Sequence, residues 1–438
     1  MEQGKHSVQS HWYHSMQRRK LRTETLGGER NLSDTTLGGQ AVLLLVVQAL
    51  MGVAGALSGT FVPVYIWKVS HSFALIGWFN LSQYAVSGLT FWFAGKWVKE
   101  HNKMNSLRLG VALSGVFYFT VLLLGRAAAI YAVPLGMLNG LALGFFWLAY
   151  NVVYFEITEP GNRDRFNGVA GFLGSGAGIV APWVSGLLIT TFKGQRGYTI
   201  IFTISVIIFA IAAVLSFWLK KRKTGGHYDW SYGIRQIRKP GNPWRRVSPA
   251  IAAQGVREGV FMFLIGLLVY IATGNEQKLG NFSLITSLVS LVSFWIIGKL
   301  LTMKRRKTAM LVGALAITAV IIPLFWPIRF MTLLLFGLGV ALFMPFYIIP
   351  MTSAVFDLIG KDEESASRRE EFVVLREAAL TVGRLIGIGA FLLVLPLADS
   401  SPQAIPWLML VVGASPIAAW WLIHPFVGIL AGGPERAK

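Results

Sequence analysis

Five charged residues interrupt otherwise apolar stretches in the second half of this 438-residue chain: Arg257 beside Glu258, Arg376 beside Glu377, and Arg384. At the middle of a membrane-crossing helix each such charge costs on the order of 2.5 to 3.5 kcal/mol unless paired or hydrated, so these side chains must face protein or water. Arg384 stands seven positions after Glu377 and eight after Arg376, a helical spacing that turns all three toward one broad face, with Thr381 between them. Two chemistries fit. Arg384, with Arg257, offers a planar fork of N–H donors to an anionic group, while Glu377 or Glu258 exchanges a proton. The alternative is a set of permanent ion pairs that hold helices together.

The first half carries no such charges but has a neutral polar set. Gln48, Asn80, Gln83, Trp147, Tyr150 and Asn151, together with Gln254 from the second half, are candidates for a hydrogen-bonding and stacking wall around a polar solute. Trp147 and Tyr150 serve equally well as packing residues. Glu156 and Asp357 fall at matching ends of two apolar runs, beside basic loops, where a gate latch is expected.

What positions these residues is a bundle of apolar helices. Hydrophobic residues make up 54% of the chain, charged residues 14%, and mean hydropathy is +0.58, which leaves too little polar surface for a water-soluble fold. Continuous apolar runs near 39–66, 73–98, 107–126, 128–155, 166–192, 197–219, 250–272, 279–303, 307–328, 330–358, 371–398 and 404–428 each suffice to cross roughly 30 Å of hydrocarbon. Short alternating segments, the mark of an outer-membrane barrel, are absent. The expected fold is therefore an all-α integral membrane protein of twelve transmembrane helices.

The segment from Gly77 to Gly110 recurs between Gly280 and Gly313, with identities that include Phe79/Phe282, Ser87/Ser290, Phe91/Phe294, Trp92/Trp295, Gly95/Gly298 and Lys96/Lys299. An internal repeat explains this, so the twelve helices divide as two pseudo-symmetric six-helix bundles. The expected organisation is an N-terminal tail at 1–38, bundles at 39–219 and 250–428, a linker at 220–249 and a C-terminal tail at 429–438. The linker is marked by Lys220-Lys221-Arg222-Lys223 and by Pro240, Gly241 and Pro243; within it Trp230, Tyr232, Ile234 and Ile237 fit either a short interfacial amphipathic segment or a plain solvated linker. The net charge of +20 sits in the tail, the linker and alternate loops rather than on one nucleic-acid-binding surface. By the positive-inside rule both termini are cytoplasmic, in a plasma membrane. The opening stretch lacks a short apolar core with a cleavage site, so the first span directs insertion.

Two six-helix halves, a basic central loop and cytoplasmic termini resemble the major facilitator superfamily. Its signature between helices two and three is matched in part: Gly95 and Gly298 hold the glycine positions, but Lys99 and Thr302 stand where the family has Asp. Phe146-Trp147-Leu148-Ala149-Tyr150-Asn151, Arg163-Asp164-Arg165-Phe166-Asn167-Gly168, and Arg376-Glu377 followed by Gly383-Arg384 resemble a poorly characterised Gram-positive branch of it. The resemblance implies a transporter that works by alternating access, with Gly95, Lys99, Glu156, Gly298, Asp357 and Arg376 as gate candidates. Small residues dominate the fifth span, where Gly171, Gly174, Gly176, Gly178 and Gly186 are expected to let helices approach closely.

The sequence contains no phosphate-binding Gly-x-x-x-x-Gly-Lys-Ser/Thr loop, which argues against ATP hydrolysis. Its seven histidines are scattered through tails, loops and a span end, and it has no cysteine, so neither a metal site nor a cofactor or covalent enzyme chemistry is expected. The reading is a proton-coupled secondary transporter, working as a monomer, for a polar and anionic small solute. A flippase for an anionic lipid or lipid-linked intermediate is the first alternative, and a non-transporting membrane sensor or scaffold the second.

Overall fold

In hydrocarbon an unpaired backbone amide finds no water, so a continuously apolar run must close its hydrogen bonds within itself. The structure, a computed structural model, describes residues 37–157, 163–192, 195–221, 226–359, 363–398 and 404–427. Among the described residues there is no strand. The α-helices are α1 (Gly39–Gly59), α2 (Val62–Ser70), α3 (Phe73–Glu100), α4 (Lys103–Leu124), α5 (Ala132–Ile157), α6 (Arg163–Thr191), α7 (Gln195–Ser216), α8 (Tyr232–Arg238), α9 (Trp244–Thr273), α10 (Glu276–Leu300), α11 (Arg306–Ala319), α12 (Phe330–Ile359), α13 (Glu363–Ser367), α14 (Arg369–Ala398), α15 (Ala404–Gly413) and α16 (Ser415–Ile423).

Among the described residues eleven spans are long and apolar enough to cross a membrane. The helix α3 has the length, at 28 residues, but is absent from that set because Asn80, Ser82, Gln83, Ser87 and Thr90 dilute its apolar character. Prolines account for where expected spans divide. Pro63 occupies the first turn of α2 and Pro416 that of α16, positions where a missing N–H costs nothing, whereas inside a continuous helix it would remove a bond. Pro323 similarly sits in a separate 3₁₀ turn beyond the end of α11.

The duplicated segment repeats its packing as well as its sequence. Gly110 of α4 lies against the backbone of Phe146 on α5, and Gly313 of α11 lies against Phe346 and Tyr347 on α12. Gly77 of α3 meets Leu392 on α14, while Gly280 of α10 meets Pro182 and Trp183 on α6. Two crossings, α3 on α14 and α6 on α10, therefore join the N-terminal to the C-terminal half. Outside them, large apolar side chains such as Leu123, Leu393 and Trp421 are more than two-thirds exposed, as suits a protein whose solvent is lipid.

The linker docks on the bundle instead of lying free. Trp230 packs on Trp92 and Phe93, and Tyr232, at the start of α8, is buried against Phe372. A small core of Phe91, Ala94, Val98, Leu148, Val152, Val373 and Val374 fills the space among α3, α5 and α14 at this linker end.

Candidate functional site

The helices α9 and α14 cross at backbone contact. Gly255 and Gly259 on α9 face Gly383 and Gly387 on α14; a Cβ at Gly259 would come within 2.5 Å of the Arg384 carbonyl oxygen, and one at Gly383 would overlap the Ala252 carbonyl. Glycines spaced by four on both helices permit this approach, and the charged residues lie between them. Arg384 donates from Nε and Nη2 to Glu258 Oε2 at 3.2 and 2.9 Å, and from Nη1 to Glu377 Oε1 at 2.6 Å. Gln254 donates to the other oxygen of Glu258 at 2.6 Å. The Arg384 guanidinium also lies 5.0 Å from the ring centre of Tyr84 on α3. One arginine is thus shared by two carboxylates and capped by a tyrosine of the opposite half.

Arg257 is different. Its side chain is 6% exposed, stacks at 4.5 Å on Phe261, and brings Nη1 4.0 Å from the Met344 sulfur. Among the described residues Nε and Nη2 have no hydrogen-bond partner, and no carboxylate lies within ion-pair distance of Arg257. These two nitrogens form one edge of the guanidinium, the edge whose parallel N–H bonds match the two oxygens of a carboxylate or phosphate. Arg257, Glu258, Arg384 and Tyr84 together border a cavity of about 610 Å³. Arg376, directly before Glu377 in the sequence, rests its guanidinium 5.7 Å from the ring centre of Phe356. The sequence offers Arg384 together with Arg257 to an anion; in the structure the donors of Arg384 are engaged by carboxylates, and the guanidinium with unpartnered donors, buried rather than open to the cavity, is that of Arg257.

The N-terminal candidates separate into two groups. Tyr150 donates to Gln48 at 2.5 Å, and Gln48 and Trp147 line a second cavity of about 290 Å³ with Gly52, Gly55 and Gly174. Asn80, by contrast, donates to the Ile76 carbonyl of its own helix, and Gln83 accepts from Asn139 on α5, so both hold helices and do not line either cavity. Asn151 is half-buried near the end of α5. The glycines of α6 overturn the expected close packing: an added Cβ at Gly171, Gly174, Gly176 or Gly178 would meet nothing within 4 Å. Only Gly186 is tight, against the backbone of Glu276.

Both ends of the bundle carry an ion pair between the halves. At the linker end Lys99 Nζ, with its side chain 6% exposed, lies 2.6 and 2.7 Å from the two oxygens of Glu371, whose side chain is 1% exposed. Glu370 is 3.8 Å away, and Arg368 and the Asp229 N–H also reach Glu371. At the far end Lys68 lies 2.7 Å from Glu276, which accepts from Tyr198 as well. In each latch a lysine in the last turn of an N-half helix meets a glutamate in the first turn of a C-half helix, the ends at which helix dipoles favour those charges.

Other gate candidates divide. Gly95 packs under the Tyr228 hydroxyl and Val374, so α3 closes tightly on α14 and the linker, whereas an added Cβ at Gly298 would meet nothing within 4 Å. The repeat is asymmetric here because α10 has no linker segment lying across it. Asp357 pairs with Arg306 at 3.0 Å within the C-terminal half, and the side chain of Glu156 lies outside the described residues. Sequence reasoning missed Tyr84, Glu371 and Glu276. Glu370 and Glu371 directly follow Arg368 and Arg369 at the head of a span, and that acidic pair was the available signal; nothing local marks Tyr84. The Gly-x-x-x-Gly spacings that bracket Arg257-Glu258 and Arg384 were likewise legible.

Residues 44–368 match the sequence profile of the Major Facilitator Superfamily. The Bacillus subtilis (strain 168) protein YqgE, itself uncharacterised, is 38% identical over 366 residues, which cover 84% of this chain and 85% of that one. Among solved structures, a D-xylose-proton symporter is similar with a TM-score of 0.66 at 12% identity, over 89% of this chain and 98% of that one. The nucleoside transporter NupG is similar with a TM-score of 0.64 at 14% identity, over 89% and 100%. At such identities the likeness shows the fold, and with the profile match and the YqgE relationship it leads to one conclusion: this chain belongs to the Major Facilitator Superfamily and is a multi-pass membrane transporter rather than an enzyme.

Proposed function

We propose that this transporter moves a small organic anion by alternating access, with the anion received on the unpartnered edge of Arg257 as that side chain turns to the cavity, and protons carried by Glu258 and Glu377. The observation that carries this reading is the buried guanidinium whose Nε and Nη2 have no partner at the wall of a cavity of about 610 Å³. An unsatisfied buried donor costs about 1–3 kcal/mol, more when charged, and a bound carboxylate removes that cost. Arg384 then acts as the internal counter-ion: protonating Glu258 or Glu377 loosens one arm of the shared pair. The N-terminal bundle, 39–219, and the C-terminal bundle, 250–428, rock about this site as a monomer, in a plasma membrane with both termini cytoplasmic. Lys99 with Glu371 closes the cytoplasmic end and Lys68 with Glu276 the external end. A non-transporting scaffold would favour a collapsed interface with every charge paired, which this cavity and the unpartnered edge of Arg257 speak against.

Ligand-induced thermal shifts of the protein in nanodiscs test this, with acetate, butyrate, succinate, phosphate, choline and glucose as probes. An anion should stabilise the wild type in proportion to its concentration over its Kd, Arg257→Met should abolish the shift, and Arg257→Lys should weaken it because an ammonium lacks the bidentate edge. Equal shifts in wild type and Arg257→Met would remove Arg257 from the site.

A further inference from the structure

Away from its charged rim the larger cavity is apolar. Phe261, Phe282, Phe336 and Val340 form its walls; of the hydroxyls that also border it, Thr286 donates to the Phe282 carbonyl at 2.8 Å and Ser287 to the Gly178 carbonyl at 3.3 Å, which leaves those of Ser290 and Tyr84. The charges nearby are three arginines, Arg257, Arg376 and Arg384, against two glutamates, Glu258 and Glu377, which leaves a surplus of one positive charge. We infer that the cargo is an amphiphilic organic monoanion, its carboxylate on the edge of Arg257 and its apolar body against the phenyl walls. This rests on the reading of Arg257 as the anion receptor and adds the substrate class.

Three features select that class. One surplus charge is neutralised by one carboxylate, and a second anionic group among the phenyl rings would meet at most a hydroxyl and no further cation, a costly way to bury a charge. A bare inorganic oxyanion would leave the apolar walls unfilled. The volume falls within the roughly 300–1,000 Å³ of pockets that enclose a compact organic ligand, too small for the whole of a two-chain lipid with its several dozen heavy atoms.

The test is a chain-length series of straight-chain carboxylates, acetate, butyrate, hexanoate and octanoate, titrated calorimetrically below their micellar range into protein in zwitterionic nanodiscs, with empty nanodiscs subtracted. Each methylene that enters the cavity should tighten binding about fourfold, so octanoate should exceed butyrate by roughly two hundredfold. Val340→Phe, which fills the apolar part, should remove the advantage of octanoate and spare butyrate; Val340→Ser, which adds no bulk, should reduce the gain per methylene. Binding of succinate or acetate that depends on Arg257 but does not tighten with chain length would overturn the amphiphile and leave the anion site standing. Octanol binding as tightly as octanoate, or octanoate binding unchanged in Arg257→Met, would overturn both. Displacement of octanoate by an anionic phospholipid added to the nanodisc would overturn the soluble cargo in favour of a lipid.

Discussion

Replacing Arg257 by methionine should make the empty protein more stable while removing its ability to bind an anion. Methionine keeps the apolar stem against Phe261 and Met344 and deletes a guanidinium that is 6% exposed and has two donors without partners. Leaving one such donor unsatisfied costs about 1–3 kcal/mol, so the two together cost roughly 2–6 kcal/mol. Against this stands the loss of the stacking of Arg257 on Phe261 at 4.5 Å, worth at most about 2 kcal/mol when desolvated. The balance is a gain of roughly 0–4 kcal/mol. Unfolding entropy scales as about 2.1 cal/mol/K per residue, close to 0.9 kcal/mol/K for a chain of this length, so Tm should rise by up to about 4 °C without ligand and should not fall. Thermal unfolding in detergent and in nanodiscs, followed by intrinsic tryptophan emission, reads this directly. A Tm that falls by several degrees would show that Arg257 is held by interactions of the folded protein itself, and the reasoning that its unpartnered edge waits for an anion would fail.

The absence of native cysteine makes single-cysteine reporters clean: in Val374→Cys, buried behind the linker-end latch, Lys99→Met or Glu371→Gln should raise maleimide labelling about 30- to 150-fold, the equivalent of losing 2–3 kcal/mol from a buried pair, and unchanged labelling would show that the pair does not hold the ends together. Glu276→Gln should lower labelling at the same reporter, since weakening the far latch favours the state closed at the linker end; a rise would contradict the assignment of opposed latches. Gly383→Ala, whose Cβ would overlap the Ala252 carbonyl, should destabilise the fold by about 2 kcal/mol or more, while Gly389→Ala, with nothing within 4 Å, should be neutral or stabilising by up to about 1 kcal/mol, and denaturation midpoints for the two variants separate these outcomes. Glu377→Gln in proteoliposomes should abolish uptake driven by a pH gradient but preserve exchange of cargo across the membrane, and retained pH-driven uptake would move the proton to Glu258 or away from this triad.

The helices were legible because hydrocarbon permits few backbone solutions, and long apolar runs announce them without reference to partners. The duplication was legible too, because Gly77, Gly110, Gly280 and Gly313 sit where helices touch and a side chain would part them. The charges of α9 and α14 could be picked out for the same reason that they matter, since each is anomalous in an apolar run. What sequence could not give was which charge is satisfied. Arg257 and Arg384 are alike on the page, and only the crossing at Gly255, Gly259, Gly383 and Gly387 decides that Arg384 meets Glu258 and that Arg257 turns toward α12. Glycine content likewise carried no sign of its use: the α6 glycines look like a packing stripe, but most border open space. Lys99 was marked as a gate candidate, but its partner Glu371 and the pair of Lys68 with Glu276 escaped because they lie at span ends, where charges are ordinary and partners belong to another half of the chain.

On the proposed reading, in which an anion binds at Arg257 and protons move on Glu258 and Glu377, the arrangement of charge also bears on the direction of coupling. With three arginines and two glutamates the site carries one excess positive charge when empty. Protonating Glu258 or Glu377 raises that excess to two. At an effective dielectric of about 20, an added elementary charge at roughly 7 Å is worth about 2 kcal/mol, or about thirtyfold in the affinity of an anion at Arg257. Coupling between two bound species is reciprocal, so the anion favours the proton by the same factor. A site that binds both more readily together than apart returns to the membrane's other face either full or empty, which is the condition for symport. Were the two glutamates matched by two arginines alone, the anion would have to compete with carboxylates for Arg384, and the same residues would favour exchange. The unpaired edge of Arg257 therefore distinguishes the two modes of transport, and it does so because Arg384 is already occupied.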